Sequence, residues 1–193
     1  MALASPNGIT MAFNSLILGG AQSGKSKYAL RLGEEYIKAT TDKGTAKGLY
    51  VATAQPLDQE MEEKIQRHRL ERGPQWETVE EPTEIPNIIR KCSGIYPVIL
   101  VDCLTLWMSN LMRYKPNSIE QSLQDFFDTF LETTGPTIMV SNEIGLGLVP
   151  GGAMGRKYRD LAGRLHQRLA EICDSVILVV AGLPLELKGN SNK

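Results

Sequence analysis

A glycine-rich octapeptide, GGAQSGKS at Gly19–Ser26, constrains this sequence more strongly than any other feature. Its spacing is G-x-x-x-x-G-K-S, and it follows a short apolar run, Ser15–Leu18, of the kind that forms a buried strand. Glycines let the backbone turn sharply so that consecutive N–H groups point at phosphate oxygens, and the positive end of the next helix adds to their field. In this pattern Lys25 reaches the β- and γ-phosphates, and the hydroxyl of Ser26 is placed on Mg²⁺.

The segment that follows the loop has the periodicity of a helix. Within Lys27–Lys38 the apolar residues Tyr28, Leu32 and Tyr36 are spaced four apart. Strand, loop and helix therefore occur in the order that phosphate binding requires, which favours a nucleotide site over a chance glycine turn.

Alternating apolar runs and helical patterns predict an α/β fold, with a mostly parallel sheet covered by helices on both faces. The predicted strands are Ser15–Leu18, Leu49–Ala52, Val98–Val101, Thr137–Val140 and Ser175–Val180. Beyond the first helix, the predicted helices are Asp58–Arg72, Pro82–Cys92, Ser118–Thr133 and Arg156–Cys173. Ligands of such sheets bind at the carboxyl ends of the strands, so we expect the functional residues there.

The length of 193 residues suits one domain. We expect a single nucleotide-binding catalytic domain over residues 15–183, a disordered N-terminal extension over residues 1–14 and a frayed tail over residues 184–193. The formal net charge is −1 and no basic block occurs, which disfavours a nucleic-acid partner.

The spacing of the cysteines and the length of the apolar runs indicate in which cellular compartment the protein works. Cys92, Cys103 and Cys173 lack C-x-x-C spacing, which argues against a disulfide framework and against a zinc site. No apolar run reaches the length of a membrane-spanning helix, so we expect no membrane insertion. These features predict a cytoplasmic protein with a small-molecule substrate.

A second nucleotide motif is indicated at Asp102, which ends the apolar run Val98–Val101. In phosphate-loop enzymes an acid at this place holds Mg²⁺ directly or through water. An aspartate after a strand commonly caps the next turn, but beside the Gly19–Ser26 loop it is expected to share the metal with Ser26. No N-K-x-D motif occurs, which disfavours the regulatory GTPases.

The chain has two histidines in different settings. His68 shares a predicted helix face with Met61 and Ile65, and three arginines, Arg67, Arg69 and Arg72, lie near it in the sequence. Neighbouring guanidinium groups favour neutral imidazole, the form that a nucleophile needs. The same position also suits a half-buried packing histidine, so the residues alone leave both interpretations open. His166 lies in a basic helix and is expected to be structural.

Several sequence blocks between Leu16 and about Val180 occur together in a recognisable order. They are GGAQSGKS at Gly19–Ser26, YVATAQ at Tyr50–Gln55, IQRHRLER at Ile65–Arg72, WETVE at Trp76–Glu80, VDCLT at Val101–Thr105, SNEIGLGLVP at Ser141–Pro150 and YRDLAGRLHQRLA at Tyr158–Ala170. The I-x-x-H-x-x-x-R and N-E-I-G-x-G-x-V-P patterns are the most specific. Together the blocks resemble the bifunctional adenosylcobinamide kinase and adenosylcobinamide-phosphate guanylyltransferase family of cobalamin biosynthesis.

This resemblance implies two reactions at one nucleotide site. ATP or GTP would phosphorylate the aminopropanol hydroxyl of adenosylcobinamide, and GTP would then give GMP to adenosylcobinamide phosphate and release pyrophosphate. In the family GMP passes through a histidine, and the matching residue is His68. The resemblance also implies a P-loop core of RecA-like topology and assembly as a homotrimer.

Site residues carry over by the same resemblance, with His68 and Lys25 as catalytic residues and Ser26 and Asp102 as Mg²⁺ ligands. The implied GTP contacts are Gly19, Gly20, Ala21, Gln22, Ser23, Gly24, Lys25, Ser26, Thr53, Ala54, Gln55, Arg69, Leu70, Glu71, Arg72, Glu80 and Asp102. Two departures are His166, where the family usually has Asn in a G-x-x-N-Q block, and the extension before Ser15.

Two other functions use the same loop. A single-activity small-molecule kinase would leave His68 structural, and a nucleotide-dependent switch would bind partners without turning over a cobinamide. The missing N-K-x-D motif and the fit to a biosynthetic family favour the bifunctional enzyme. Covalent trapping of the nucleotide separates it from the kinase.

Overall fold

A computed structural model describes residues 14–40 and 46–189, apart from the side chains of Lys64 and Glu71. The strands are β1 (Asn14–Gly19), β2 (Gly48–Ala52), β3 (Trp76–Glu80), β4 (Ile99–Asp102), β5 (Thr137–Asn142), β6 (Ser175–Val180) and β7 (Leu183–Lys188). The helices are α1 (Lys25–Thr40), α2 (Gln59–Glu71), α3 (Ile85–Cys92), α4 (Leu104–Tyr114), α5 (Ile119–Glu132) and α6 (Ala153–Ile172).

The seven strands form one sheet in the order β3-β2-β4-β5-β1-β6-β7. Every neighbouring pair is parallel except β6 and β7, which are antiparallel. Strand β5 therefore separates β1, which leads into the glycine-rich loop, from β4, which ends at Asp102. The carboxyl ends of β1, β2, β4 and β5 meet at one edge of the sheet.

Alternate residues of the buried strands face two separate apolar layers. Leu16 packs in the layer formed with α3, α4, α5 and α6, whereas Ile17 packs in the layer formed with α1. On α1, Gly33 lets the helix lie close to the ring of Trp76, because a Cβ at this position would come within 2.4 Å of that ring. The prediction of helices on both faces of a mostly parallel sheet is confirmed.

The structure contains three elements that sequence periodicity did not predict. Strand β3 lies at the edge of the sheet, and its sequence WETVE contains two glutamates and a threonine, so a search for apolar runs misses it. Helix α4 begins two residues after Asp102, so its apolar residues follow those of β4 with almost no break.

The third element corrects an expectation about the tail. Residues 184–188 are not frayed, because Leu183–Lys188 pairs with β6 as an antiparallel strand. Similarly, Asn14 belongs to β1, and its backbone N–H donates to Asp174 Oδ2 at 2.8 Å. Residues 1–13 and 190–193 lie outside the described part of the chain.

Helix α6 is the longest described helix, with 20 residues. Neither it nor any other helix in residues 14–40 and 46–189 combines the length and apolar character needed to cross a bilayer.

Candidate nucleotide-binding site

A cavity of about 720 Å³ opens at the carboxyl edge of the sheet. Its volume lies in the usual range for small-molecule and cofactor sites. The predicted site residues that line it are Ala21, Gln22, Ser23, Gly24, Lys25, Ser26, Ala54, His68, Arg72, Glu80 and Asp102. The structure thus brings the glycine-rich loop, the His68 helix and the Asp102 strand to one space.

The glycine-rich loop connects β1 to the first residue of α1, Lys25. Gly24 has φ +93°, a left-handed conformation that glycine adopts without strain. Lys25 is only 9% exposed, and its Nζ donates to the carbonyl oxygen of Gly20 at 3.0 Å. The Gly182 amide, in the β6–β7 turn, donates to Ser23 O at 2.8 Å, so the C-terminal hairpin holds the loop in place.

Asp102 is oriented by a buried tyrosine that sequence reasoning did not single out. The hydroxyl of Tyr50 donates to Asp102 Oδ2 at 2.8 Å. Burial, followed by the charge of Asp102, raises the pKa of Tyr50 well above its ordinary value, so the hydroxyl stays a donor at neutral pH. The only sequence signal was a polar-tipped aromatic residue inside an apolar strand.

Arg72 lies over the other side of this tyrosine. Its guanidinium carbon is 3.7 Å from the centroid of the Tyr50 ring, a cation–π contact, and its Nη1 donates to Thr78 Oγ1 at 3.4 Å. The side chain is buried, yet its Nε has no hydrogen-bond partner in the structure. Arg72 also lines the cavity, so this unpartnered donor lies beside the space for a ligand.

Helix α2 places His68 in the cavity as the sequence spacing predicts. Met61, Ile65, His68 and Arg72 all line it, and their spacing puts them on one helical face. Asp58 caps the helix, accepting the Met61 N–H at 2.7 Å. None of the described side chains of α2 is fully buried, so the helix is held by fewer core contacts than its neighbours.

Other predicted contacts lie outside the cavity lining. Thr53 is fully buried, and its Oγ1 both donates to Cys103 O and accepts from Cys103 N, each at 2.8 Å. It therefore ties the end of β2 to the end of β4. Leu70 is 86% exposed, and Arg69 forms an exposed ion pair with Glu80.

The remaining predicted contacts are Gly19, Gly20, Gln55 and Glu71. The first three do not line the cavity, although Gln55 Oε1 is buried without a hydrogen-bond partner. Gly19 is closely packed, because a Cβ there would come within 2.6 Å of Val179 O. The side chain of Glu71 lies outside the described part of the chain.

His166 is buried beneath the end of β5 and does not line the cavity. Its Nε2 is 2.7 Å from Ser141 Oγ, and its Nδ1 is 3.7 Å from Glu143 Oε2. The backbone N–H of Glu143 in turn donates to Gly19 O at 3.0 Å. These contacts agree with the structural role expected for this histidine.

The titration of His166 gives a prediction about stability. Burial lowers the pKa of His166 below its ordinary value of 6.5, and Glu143 only partly opposes this shift. The unfolded chain therefore binds the proton more readily, so stability is present above about pH 6.5 and is lost as the pH falls through the folded pKa. Urea unfolding should show a larger acid-induced loss for the wild type than for His166→Asn. An equal loss in both proteins would contradict this origin.

Two oxygen-bearing side chains, Ser26 and Asp102, could hold a metal ion at the phosphate end. Within residues 14–40 and 46–189, no group of three or more His, Cys, Asp and Glu side chains forms a metal site. Mg²⁺ needs only one or two protein ligands when phosphates and waters complete its shell. The donor set therefore fits a magnesium–nucleotide complex better than a metal held by protein alone.

Among solved structures, the chain is similar to the flagellar accessory protein FlaH from Methanocaldococcus jannaschii. The TM-score is 0.50 at 15% identity, with 92% of this chain and 78% of that chain covered. This likeness concerns the fold alone. With the sheet order and the loop after β1, it is consistent with the predicted P-loop fold of RecA-like topology.

Curated relatives match over almost their whole length. The bifunctional adenosylcobalamin biosynthesis protein CobP of Pseudomonas aeruginosa is 44% identical over 175 residues, covering 90% of this chain and 96% of that protein. The corresponding CobU proteins of Escherichia coli and Salmonella typhimurium are 31% and 32% identical, each covering 90% of this chain and 98% of the relative. The family model described as cobinamide kinase / cobinamide phosphate guanyltransferase matches residues 15–187. The chain therefore belongs to the cobinamide kinase / cobinamide phosphate guanyltransferase family.

Proposed function

We propose that this chain catalyses both reactions of its family at one nucleotide site. ATP or GTP phosphorylates adenosylcobinamide, and GMP from GTP then passes through His68 to adenosylcobinamide phosphate, with release of pyrophosphate. The observation that carries the proposal is that His68 and the glycine-rich loop line the same cavity. A nucleotide with its phosphates on the loop then has an imidazole within the same enclosed space.

The phosphate end of the site serves both reactions. The loop amides and Lys25 bind the β- and γ-phosphates, and Ser26 and Asp102 hold Mg²⁺. When bound, the ion neutralises phosphate charge. Charge neutralisation there assists loss of the γ-phosphoryl group in the first reaction and departure of pyrophosphate in the second.

The remaining predicted nucleotide contacts lie on α2 and β3. Arg72 has an unpartnered buried Nε at the cavity, and Glu80 lines the same wall at the end of β3. A guanidinium donor and a carboxylate acceptor are complementary to the acceptors and donors of a guanine nucleotide. Arg69, paired with Glu80, would close the outer edge of the site.

The nucleophile attacks the γ-phosphorus in the first reaction and the α-phosphorus in the second. The nucleotide or α2 therefore has to shift between the two reactions. The absence of fully buried described side chains on α2 supports a movement of this helix. Gly73, with φ +72°, follows the helix and can absorb a change in backbone direction.

The function is tested by incubating the purified protein with adenosylcobinamide, Mg²⁺ and either ATP or GTP, and identifying the corrinoid products by mass spectrometry. We expect adenosylcobinamide phosphate first and adenosylcobinamide-GDP when GTP is present. A product series that stops at the phosphate would indicate a single-activity kinase. Nucleotide-dependent partner binding without corrinoid turnover would indicate a switch protein.

We also propose the homotrimer that the family resemblance implies, and the cytoplasmic location that the cysteine spacing and the lack of long apolar runs predict. The β7 strand supports an assembly, because Leu183, Leu185 and Leu187 are exposed at alternate positions on an edge strand. Sedimentation equilibrium of the full chain would test the trimer.

For His166, we expect the substitution His166→Asn to leave both reactions within about tenfold of the wild type, about 1.4 kcal/mol. The reason is that His166 contacts Ser141 and Glu143 outside the cavity, and Asn is the usual family residue there. Steady-state rates of both reactions provide the measurement. Complete loss of guanylylation in a folded variant would show that His166, and not His68, carries the nucleotide.

A further inference from the structure

Asn142 occupies a central place at the carboxyl edge of the sheet. It ends β5, pairs in register with Gly19 at the start of the glycine-rich loop, and lines the cavity. On the other side of β5 lies β4, which ends at Asp102. The Asn142 side chain therefore stands between the phosphate loop and the proposed metal ligand.

The carboxamide oxygen of Asn142 is buried and has no hydrogen-bond partner. Its backbone is fixed, because the Asn142 N–H donates to Thr105 Oγ1 at 2.9 Å. Native structures leave few buried polar atoms unsatisfied, so an unpartnered acceptor on a residue that lines the cavity points to a donor on the ligand.

Neighbouring carboxylates already have partners within the protein. Glu143 accepts the Gly145 N–H with Oε1, and its Oε2 faces His166. Asp102 accepts the Tyr50 hydroxyl. The Asn142 oxygen is thus an uncommitted acceptor beside the loop, and the phosphate oxygens of a nucleotide are themselves chiefly acceptors. The missing donor is therefore an O–H group, either the hydroxyl of the acceptor substrate or a metal-bound water.

We propose that Asn142 Oδ1 accepts a hydrogen bond from the acceptor hydroxyl and aims its oxygen at the γ-phosphorus. This inference rests on the proposed kinase activity. The hydroxyl oxygen forms a bond to the γ-phosphorus while the bond from that phosphorus to the β,γ-bridging oxygen breaks and the nucleoside diphosphate leaves. The hydroxyl proton passes to an oxygen of the transferred phosphoryl group, because an amide oxygen is too weak a base to keep it.

The two candidate donors to Asn142 Oδ1, the acceptor hydroxyl and a metal-bound water, can be distinguished because they take part in different reactions. Phosphorylation needs the hydroxyl, whereas loading of GMP onto the protein occurs before any acceptor binds. A residue that meets the hydroxyl affects only the first reaction. A residue that meets metal-bound water affects both, because both use the magnesium–nucleotide complex.

The test compares Asn142→Ala and Asn142→Leu with the wild type, since both remove the acceptor oxygen and leucine keeps the branched arrangement of side-chain heavy atoms. We expect the kinase kcat with adenosylcobinamide to fall about 10- to 100-fold, while labelling of the protein by α-labelled GTP stays within about threefold. The retained labelling also shows that each variant is folded. Asn117→Ala, an exposed asparagine in the turn before α5 and outside the cavity lining, is the matched control and should keep both activities.

Unchanged kinase turnover in both variants would overturn the inference. Equal losses of phosphorylation and labelling, with a raised Mg²⁺ requirement, would also overturn it and assign the oxygen to metal-bound water. A wild-type protein that does not phosphorylate adenosylcobinamide would instead refute the proposed function itself.

Discussion

Lys25→Ala is expected to lose most of both activities. The Lys25 side chain is almost fully buried against the glycine-rich loop, with Nζ at 3.0 Å from Gly20 O, so its charge acts on the triphosphate in a water-poor site. Removing one donor from such a preorganised site costs about 2–4 kcal/mol of transition-state stabilisation, or about 30- to 1,000-fold in rate. Rates of corrinoid phosphorylation and of GMP transfer measure the two losses separately.

The matched control for this variant is Lys38→Ala. Lys38 lies in the last turn of the same helix and is exposed, so its removal deletes an equal charge without touching the loop. Thermal unfolding of the two variants would show whether the fold is kept. Full kinase turnover in Lys25→Ala would contradict a shared phosphate site for the two reactions.

Local patterns were sufficient to predict the parts of the site that lie within one segment. The spacing of Gly19–Ser26 gave the loop, and the four- and three-residue spacing of Met61, Ile65 and His68 gave the helix face that lines the cavity. Each of these inferences needs only the geometry of a turn or of one helix. The structure bears out both placements.

Contacts between distant segments could not be predicted in the same way. The stack of Arg72 on Tyr50 and the hydrogen bond from Tyr50 to Asp102 join residues that lie 22 and 52 positions apart in the sequence. The residue type of Tyr50 did not predict these contacts, because an aromatic residue in a buried strand usually belongs to the core. For Thr53 the family resemblance implied a ligand contact, but its hydroxyl is used in two hydrogen bonds to the backbone of Cys103.

Asn142 shows that unsatisfied hydrogen-bonding atoms cannot be predicted from the sequence. Its place within a specific sequence block was evident, but the missing partner of its oxygen arises only from how β5, the loop and the Glu143–His166 contact pack together. A sequence shows which polar atoms exist, and only packing shows which of them are left unsatisfied.

His68→Ala is expected to abolish covalent labelling by α-labelled GTP, while corrinoid phosphorylation falls far less. In the proposed mechanism an imidazole nitrogen of His68 attacks the α-phosphorus, the N–P bond forms, and the bond to the bridging oxygen breaks as pyrophosphate leaves. A phosphate oxygen of adenosylcobinamide phosphate then attacks the same phosphorus and releases the histidine. Phosphorylation needs no such intermediate, so it depends on His68 only through the shape of the cavity.

The chemistry of the labelled protein supplies an independent readout. A phosphoramidate on His68 is labile in acid and stable in base, and two successive in-line displacements give net retention at phosphorus. His166→Asn is the control, because it removes the other histidine of the chain from a position outside the cavity and should leave labelling in place. Persistent labelling of His68→Ala, or inversion with a chiral thio-substituted GTP, would show that GMP does not pass through this residue. The loop and Lys25 would then serve direct transfer between the two substrates.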